Sequence, residues 1–174
     1  GRAEKFEDGD CVAQDDWQKS TYPTCNLLME QDLTSLAVDA EGKASVRFLA
    51  NGYWRDVWKT RDPYNLAVVK TMRYEHDYEP RNYDRHRRAS VAMERLTSSE
   101  WVMEIYSFCG NSGIFEFADG GSIEDSVFYG KGDGWNSTER LVVAYQVASG
   151  LADLHNFGKE GRASIAHTDV TTSQ

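Results

Sequence analysis

Ala50-Asn-Gly-Tyr-Trp-Arg-Asp-Val-Trp-Lys-Thr-Arg-Asp-Pro-Tyr-Asn-Leu-Ala-Val-Val-Lys70 carries the pattern that decides the fold. Asn51-Gly52 separates two short runs, Ser45–Ala50 and Tyr53–Thr60, rich in Val, Phe, Trp and Leu. Asn-Gly tolerates the positive φ values of tight hairpins, so it marks a reversal between paired strands. Asp62-Pro63 and Asn65 mark the next turn, and Asn65–Met72 reads as a third strand. A lysine ending such a strand, as Lys70 does, is ordinarily a snorkelling surface residue.

Beyond this stretch, Ala89, Ala92, Met93 and Leu96 recur at helical spacing and read as one face of a helix. Trp101–Cys109 and Gly113–Phe117 read as two more strands. Asn136-Ser-Thr-Glu139 has the form of a capped helix start, with Glu139 placed to close a capping box. Behind it, Leu141, Ala144, Ala148, Leu151 and His155 repeat at three and four residues, and Gly158 and Gly161 end the helix. Three strands, a helix, two strands and a helix make an α+β pattern.

The 174 residues suit one domain with an extension. No run of 18 apolar residues is present to span a membrane. The net charge of −9 is uneven: residues 1–41 hold ten acids and three bases. Residues 1–43 are therefore read as an acidic N-terminal extension on a domain over 44–174. An acidic balance argues against nucleic acid as a partner, since neutralising phosphates needs a basic surface. The basic cluster Arg81, Arg85, His86, Arg87 and Arg88 reads as a solvated helix face. The chain opens on Gly with no signal-like segment, and we read it as a piece of something longer.

The order of elements and a set of short motifs resemble the eukaryotic protein kinase family over residues 44–174. Ala50–Val57 lies in the register of the GxGxxGxV phosphate loop and keeps its central glycine, Gly52, and the following Val57. Leu66-Ala-Val-Val-Lys70 resembles the third-strand VAIK motif. Phe115-Glu-Phe-Ala-Asp-Gly-Gly-Ser-Ile123 resembles the hinge, with Phe115 at the gatekeeper position. Val147-Ala-Ser-Gly-Leu-Ala-Asp-Leu-His155 resembles the end of the first long C-lobe helix. Ile165-Ala-His-Thr-Asp-Val-Thr-Thr-Ser-Gln174 resembles the H-R-D catalytic loop.

The resemblance implies an N-lobe over 44–117, a hinge over 116–121 and the start of a C-lobe over 122–174. It implies a five-stranded antiparallel N-lobe sheet with one helix. It further implies ATP and Mg²⁺ as cofactors. Lys70 would hold phosphates, Val57 and Val68 would roof the adenine, and Glu116 and Ala118 would meet its edge by their backbones. Ser122 would face the ribose. Asp169 would be the base toward a substrate hydroxyl, His167 would be structural, and Gln174 would take a metal ligand's place. The whole protein is then expected to be an ATP-dependent protein kinase acting on Ser or Thr, with this piece inactive alone. The alternative is a pseudokinase serving as a nucleotide-binding or scaffolding module.

Departures from the pattern support that alternative. Ala50 and Arg55 replace the outer glycines, and Ala89 falls where the helix should offer a Glu to Lys70. Thr168, Thr171 and Gln174 replace the family's Arg, Lys and Asn. Cys11 and Cys25 are candidate partners in a disulfide or two reduced thiols, and Cys109 reads as a small buried residue. Together with the sequon Asn136-Ser-Thr138, they leave a cytoplasmic and a secretory-lumen location both open.

Overall fold

The computed structural model describes residues 25–29, 33–34, 42, 44–61, 66–128, 135–158, 161–163 and 165–171. Five strands, β1 (Val46–Asn51), β2 (Arg55–Arg61), β3 (Leu66–Met72), β4 (Ile105–Cys109) and β5 (Ser112–Glu116), form one antiparallel sheet in the order β1-β2-β3-β5-β4. The described helices are α1 (Cys25–Met29), α2 (Pro80–Arg95), α3 (Ile123–Phe128) and α4 (Ser137–Asn156). Four strands lie within two residues of the sequence reading, while β4 starts at Ile105, four residues into the run read from Trp101. Asn51 still pairs with Asp56 as the last residue of β1, and Gly52 turns without a positive φ, so the reversal is not the tight Asn-Gly turn expected from the sequence. The chain divides into two compact units: residues 1–98 with 104–117, and residues 99–103 with 118–174.

In the first unit the sheet is apolar on both faces. Ala67, Val69, Ile114 and Leu28 form one buried cluster, bordered by Trp58 and Tyr106. Val68, Ile105 and Phe115 form the other, bordered by Val57, Met93, Phe108 and Phe117. The central strand β3 therefore reads as a nearly continuous apolar run, as expected of a strand covered on both sides.

The first cluster depends on α1, a five-residue helix too short to persist alone. Leu28 anchors it, and a disulfide ties Cys25 to Cys109 at the end of β4, 84 positions on. This corrects the sequence reading, in which Cys25 had Cys11 as its candidate partner and Cys109 was a buried thiol. The pairing follows from α1 packing back onto β4 and β5, a long-range contact that local spacing does not encode. Cys11 lies outside the described residues. Part of the acidic extension thus contributes to the same compact unit as the sheet.

In the second unit α4 starts as the sequence predicts. The Asn136 Oδ1 accepts the backbone N–H groups of Thr138 and Glu139 at 2.9 and 3.0 Å, and Glu139 accepts the Asn136 N–H at 2.7 Å. Gly150 lets α4 approach the 99–103 segment, since a Cβ there would stand 3.1 Å from the Trp101 carbonyl oxygen. Ser99 Oγ donates to the Asp153 carboxylate at 2.6 Å on the next turn. An apolar groove of about 420 Å³ runs beside Ile123, Val127, Val143, Val147 and Leu151. The outer side of α4 leaves Leu141 70% and Tyr145 65% exposed.

Candidate functional site

Lys70 lies near the end of β3, opposite Val57 on β2 and Gly113 on β5. Its ammonium stands 4.7 Å from the ring centre of Phe115, which is 1% exposed. Gly113 has a packing reason to be glycine: a Cβ there would come within 2.9 Å of that ring. Burial, and then the neighbouring charge of Arg55, push the Lys70 pKa down. Among the described residues no carboxylate forms an ion pair with Lys70. Val57 and Val68 belong to the apolar cluster built around Phe115.

Arg55 stands where a phosphate loop carries its third glycine. Its Nε–H donates to Nδ1 of His86 at 2.8 Å, and its Nη2 also lies against that nitrogen. His86 is buried on α2, and its pKa falls to about 4 through burial first, then the charges of Arg55 and Arg85. The imidazole is therefore neutral at pH 7 and accepts through Nδ1.

The buried positions of α2 are Asn82, His86 and Ser90, four residues apart. Ala89 is exposed, which corrects the sequence reading that turned it toward Lys70. Met93 and Leu96 do turn inward as read, but the apolar count fails earlier in the helix, where the inward residues are polar. His86 is satisfied by Arg55, and Asn82 Nδ2 donates to the Asp77 carbonyl at 2.9 Å. None of the inward residues is acidic. Asp84 on the same helix pairs with Arg88 at 2.7 Å and Arg87 at 3.4 Å. The rest of the basic cluster is exposed as expected, and only His86 departs from it.

The β1–β2 turn is held down from below. Gly52 N–H donates to the Arg55 carbonyl at 2.9 Å, and the Arg73 guanidinium donates to the Gly52 carbonyl at 3.1 Å. Arg73 N–H bonds the Trp54 carbonyl at 3.1 Å, and His76 meets the Tyr53 carbonyl. A Cβ on Gly52 would meet nothing within 4 Å. That open space suits the approach of a ligand to the backbone.

Glu116 ends β5, and its N–H donates to the Glu104 carbonyl at 3.0 Å. In the second unit Ala118 is exposed, and Ser122 caps α3 by accepting the Asp125 N–H at 3.0 Å. The Ser122 hydroxyl keeps its own proton to donate. Asp169 is exposed, and its N–H donates to Nδ1 of His167 at 3.3 Å, which ties the His-Thr-Asp turn together. Gln174 lies outside the described residues. Among the described residues no group of three His, Cys, Asp or Glu side chains is placed to hold a metal ion.

Among solved structures the chain is similar to an apo pseudokinase, with a TM-score of 0.60 at 13% identity over 72% of this chain and 50% of that one. It is similar also to the pseudokinase drought responsive inactive kinase 1 in a co-crystal with ENMD-2076. There the TM-score is 0.61 at 13% identity, over 72% of this chain and 49% of that one. The chain has a divergent protein kinase-like fold. The β1–β5 sheet with α2 corresponds to the kinase N-lobe, and the second unit to the opening of the C-lobe. The chain spans about half the length of these solved chains. No family model and no curated protein matches its sequence. In kinase-like terms, Gly52, Val57, Val68, Lys70 and Glu116 belong to the N-lobe unit. Ala118, Ser122 and Asp169 belong to the C-lobe unit. Sequence reading missed the Arg55–His86 contact; an arginine in place of a loop glycine was its only local signal.

Proposed function

We propose that the full-length protein is a pseudokinase, a kinase-like module that takes a nucleotide and acts by binding instead of by phosphoryl transfer. The observation that carries this reading is the inward face of α2. It presents Asn82, His86 and Ser90, and no carboxylate for Lys70. A lysine without an acid to orient it is poorly preorganised for transfer, yet still attracts an anion. Val57 and Val68 roof the adenine, and the backbone at Glu116 meets its edge. Lys70 and Arg55 face the phosphates, with Gly52 leaving room for them. The two solved proteins named above are described as pseudokinases, which supports the reading.

The second reading is a protein kinase specific for Ser or Thr, and the presence of both Lys70 and Asp169 favours it. In that reading Asp169 orients the substrate hydroxyl and Mg²⁺ neutralises the phosphates.

Full-length protein melted with ATP, with and without MgCl₂, tests the site. Saturating ATP at about a hundred times its Kd stabilises by roughly 2.7 kcal/mol. Lys70→Met should lose most of that shift; an equal shift in both proteins removes Lys70 from the site. Labelled phosphate should reach neither the protein nor a generic substrate. Mg²⁺-dependent transfer that Asp169→Asn abolishes would replace the pseudokinase reading with the kinase.

A further inference from the structure

We infer that this protein matures in an oxidising secretory lumen and carries an N-linked glycan on Asn136. Three observations meet here, and none depends on nucleotide binding.

The first is chemical. Asn136-Ser137-Thr138 is the only Asn-x-Ser/Thr triplet among the 174 residues, and its middle residue is not proline. The second is geometric. Asn136 is exposed, in extended backbone at φ −71° and ψ 172°, just outside the first turn of α4. Its side chain serves the helix cap through Oδ1 alone, which accepts both N–H groups. The atom that bears an N-linked sugar is Nδ2, which the cap does not use. A glycan turns the primary amide into a secondary amide and keeps the carbonyl oxygen, so cap and sugar coexist. Asn136 thus meets the requirement of a surface acceptor.

The third observation supplies the compartment. Cys25 and Cys109 are joined across 84 positions, and this disulfide holds α1 against the sheet. Structural disulfides persist in oxidising compartments and are rare where thiol reductants prevail. The lumen that oxidises the two thiols also holds the glycan transferase and its donor. In the first step the thiols lose two electrons and two protons to a thiol–disulfide oxidant by exchange. In the second, Nδ2 bonds to C1 of a lipid-diphosphate-linked oligosaccharide. The C1–O bond to the diphosphate breaks, the lipid diphosphate leaves, and a base of the transferase takes the amide proton.

The test is production of the full-length protein in eukaryotic cells, followed by non-reducing peptide mapping and treatment with peptide N-glycosidase. A Cys25–Cys109 cross-linked peptide is expected. So is a glycosidase-sensitive gel shift, lost in both Asn136→Gln and Thr138→Ala. Thr138→Ala keeps the backbone N–H that the cap uses, so it separates loss of the sugar from loss of the cap. A formed disulfide with an unmodified Asn136 overturns the acceptor assignment. Free thiols at Cys25 and Cys109 with an unmodified Asn136 overturn the compartment as well.

Discussion

Opening the Cys25–Cys109 bond tests the outer wall of the N-lobe unit. The bond joins positions 84 apart, and between them lie β1, β2, β3 and α2. On the chain-entropy account a loop of this size removes about 4–5 kcal/mol of freedom from the unfolded chain. The loss in the folded state adds to this. Five helical residues do not persist by themselves, so without the bond α1 is held chiefly by Leu28 against Ala67, Val69 and Ile114. For a chain of this size each kcal/mol moves Tm by about 2–4 °C, so Cys109→Ser should lower the melt of the N-lobe unit by roughly 10 °C or more. The assay is circular dichroism melting at pH 7 of the full-length protein, oxidised, reduced, and as Cys25→Ser, Cys109→Ser and the double variant. The three variants should melt together, because each breaks the same bond. Amide exchange should show Ala67, Val69 and Ile114 losing protection. A shift below about 2 °C with unchanged exchange would refute the claim that the bond secures this face.

The remaining predictions concern the site and the second unit. His86 has its pKa lowered to about 4 from the usual 6.5, so the unfolded chain binds the extra proton between those values. Stability should therefore rise from about pH 4 to 6.5 and be lost as pH falls through that window, read as urea midpoints. His86→Asn keeps an acceptor for Arg55 and should flatten the slope; an unchanged slope would assign it to other groups. Gly113→Ala forces the Phe115 ring aside and should destabilise by about 1–3 kcal/mol in urea unfolding, with a weaker ATP response; a neutral substitution would show that the ring has room to move. Ala89→Glu, on the exposed side of α2, should leave the ATP-induced thermal shift unchanged, and a clear gain would restore the inward placement of residue 89. The 174-residue chain alone should bind a hydrophobic dye through Leu141, Val142, Tyr145 and Val147 on α4, and one cooperative melt without dye binding would count against an open face.

What the sequence disclosed was whatever acts locally. The apolar runs marked the strands, Asn51-Gly52 marked where β1 ends, and Asn136 with Glu139 gave a capping box that forms as read. What it hid acts at a distance or against the usual sign. Nothing near Cys25 points to a partner 84 positions on. The fully buried residues within α2 are polar, so counting apolar residues found Met93 and Leu96 but placed Ala89 inward as well. The Arg55–His86 contact joins residues 31 apart, and no periodicity predicts it. The hinge motif marked Ser122 by order alone, while its role as the cap of α3 depends on three-dimensional placement.

The 99–103 segment has a consequence for how the molecule comes apart. The chain leaves the sheet unit after Ser98, returns at Glu104 and leaves again after Phe117. A protease cutting between Phe117 and Ala118 would yield two pieces, and the first would still carry Ser99 and Trp101. Their seats are Asp153 and Gly150 on α4, in the second piece. The nicked halves therefore keep a shared seam of hydrogen bonding and backbone-tight packing. The molecule has the makings of a split protein whose fragments recognise each other, and shortening it at the hinge would strip that seam from both halves.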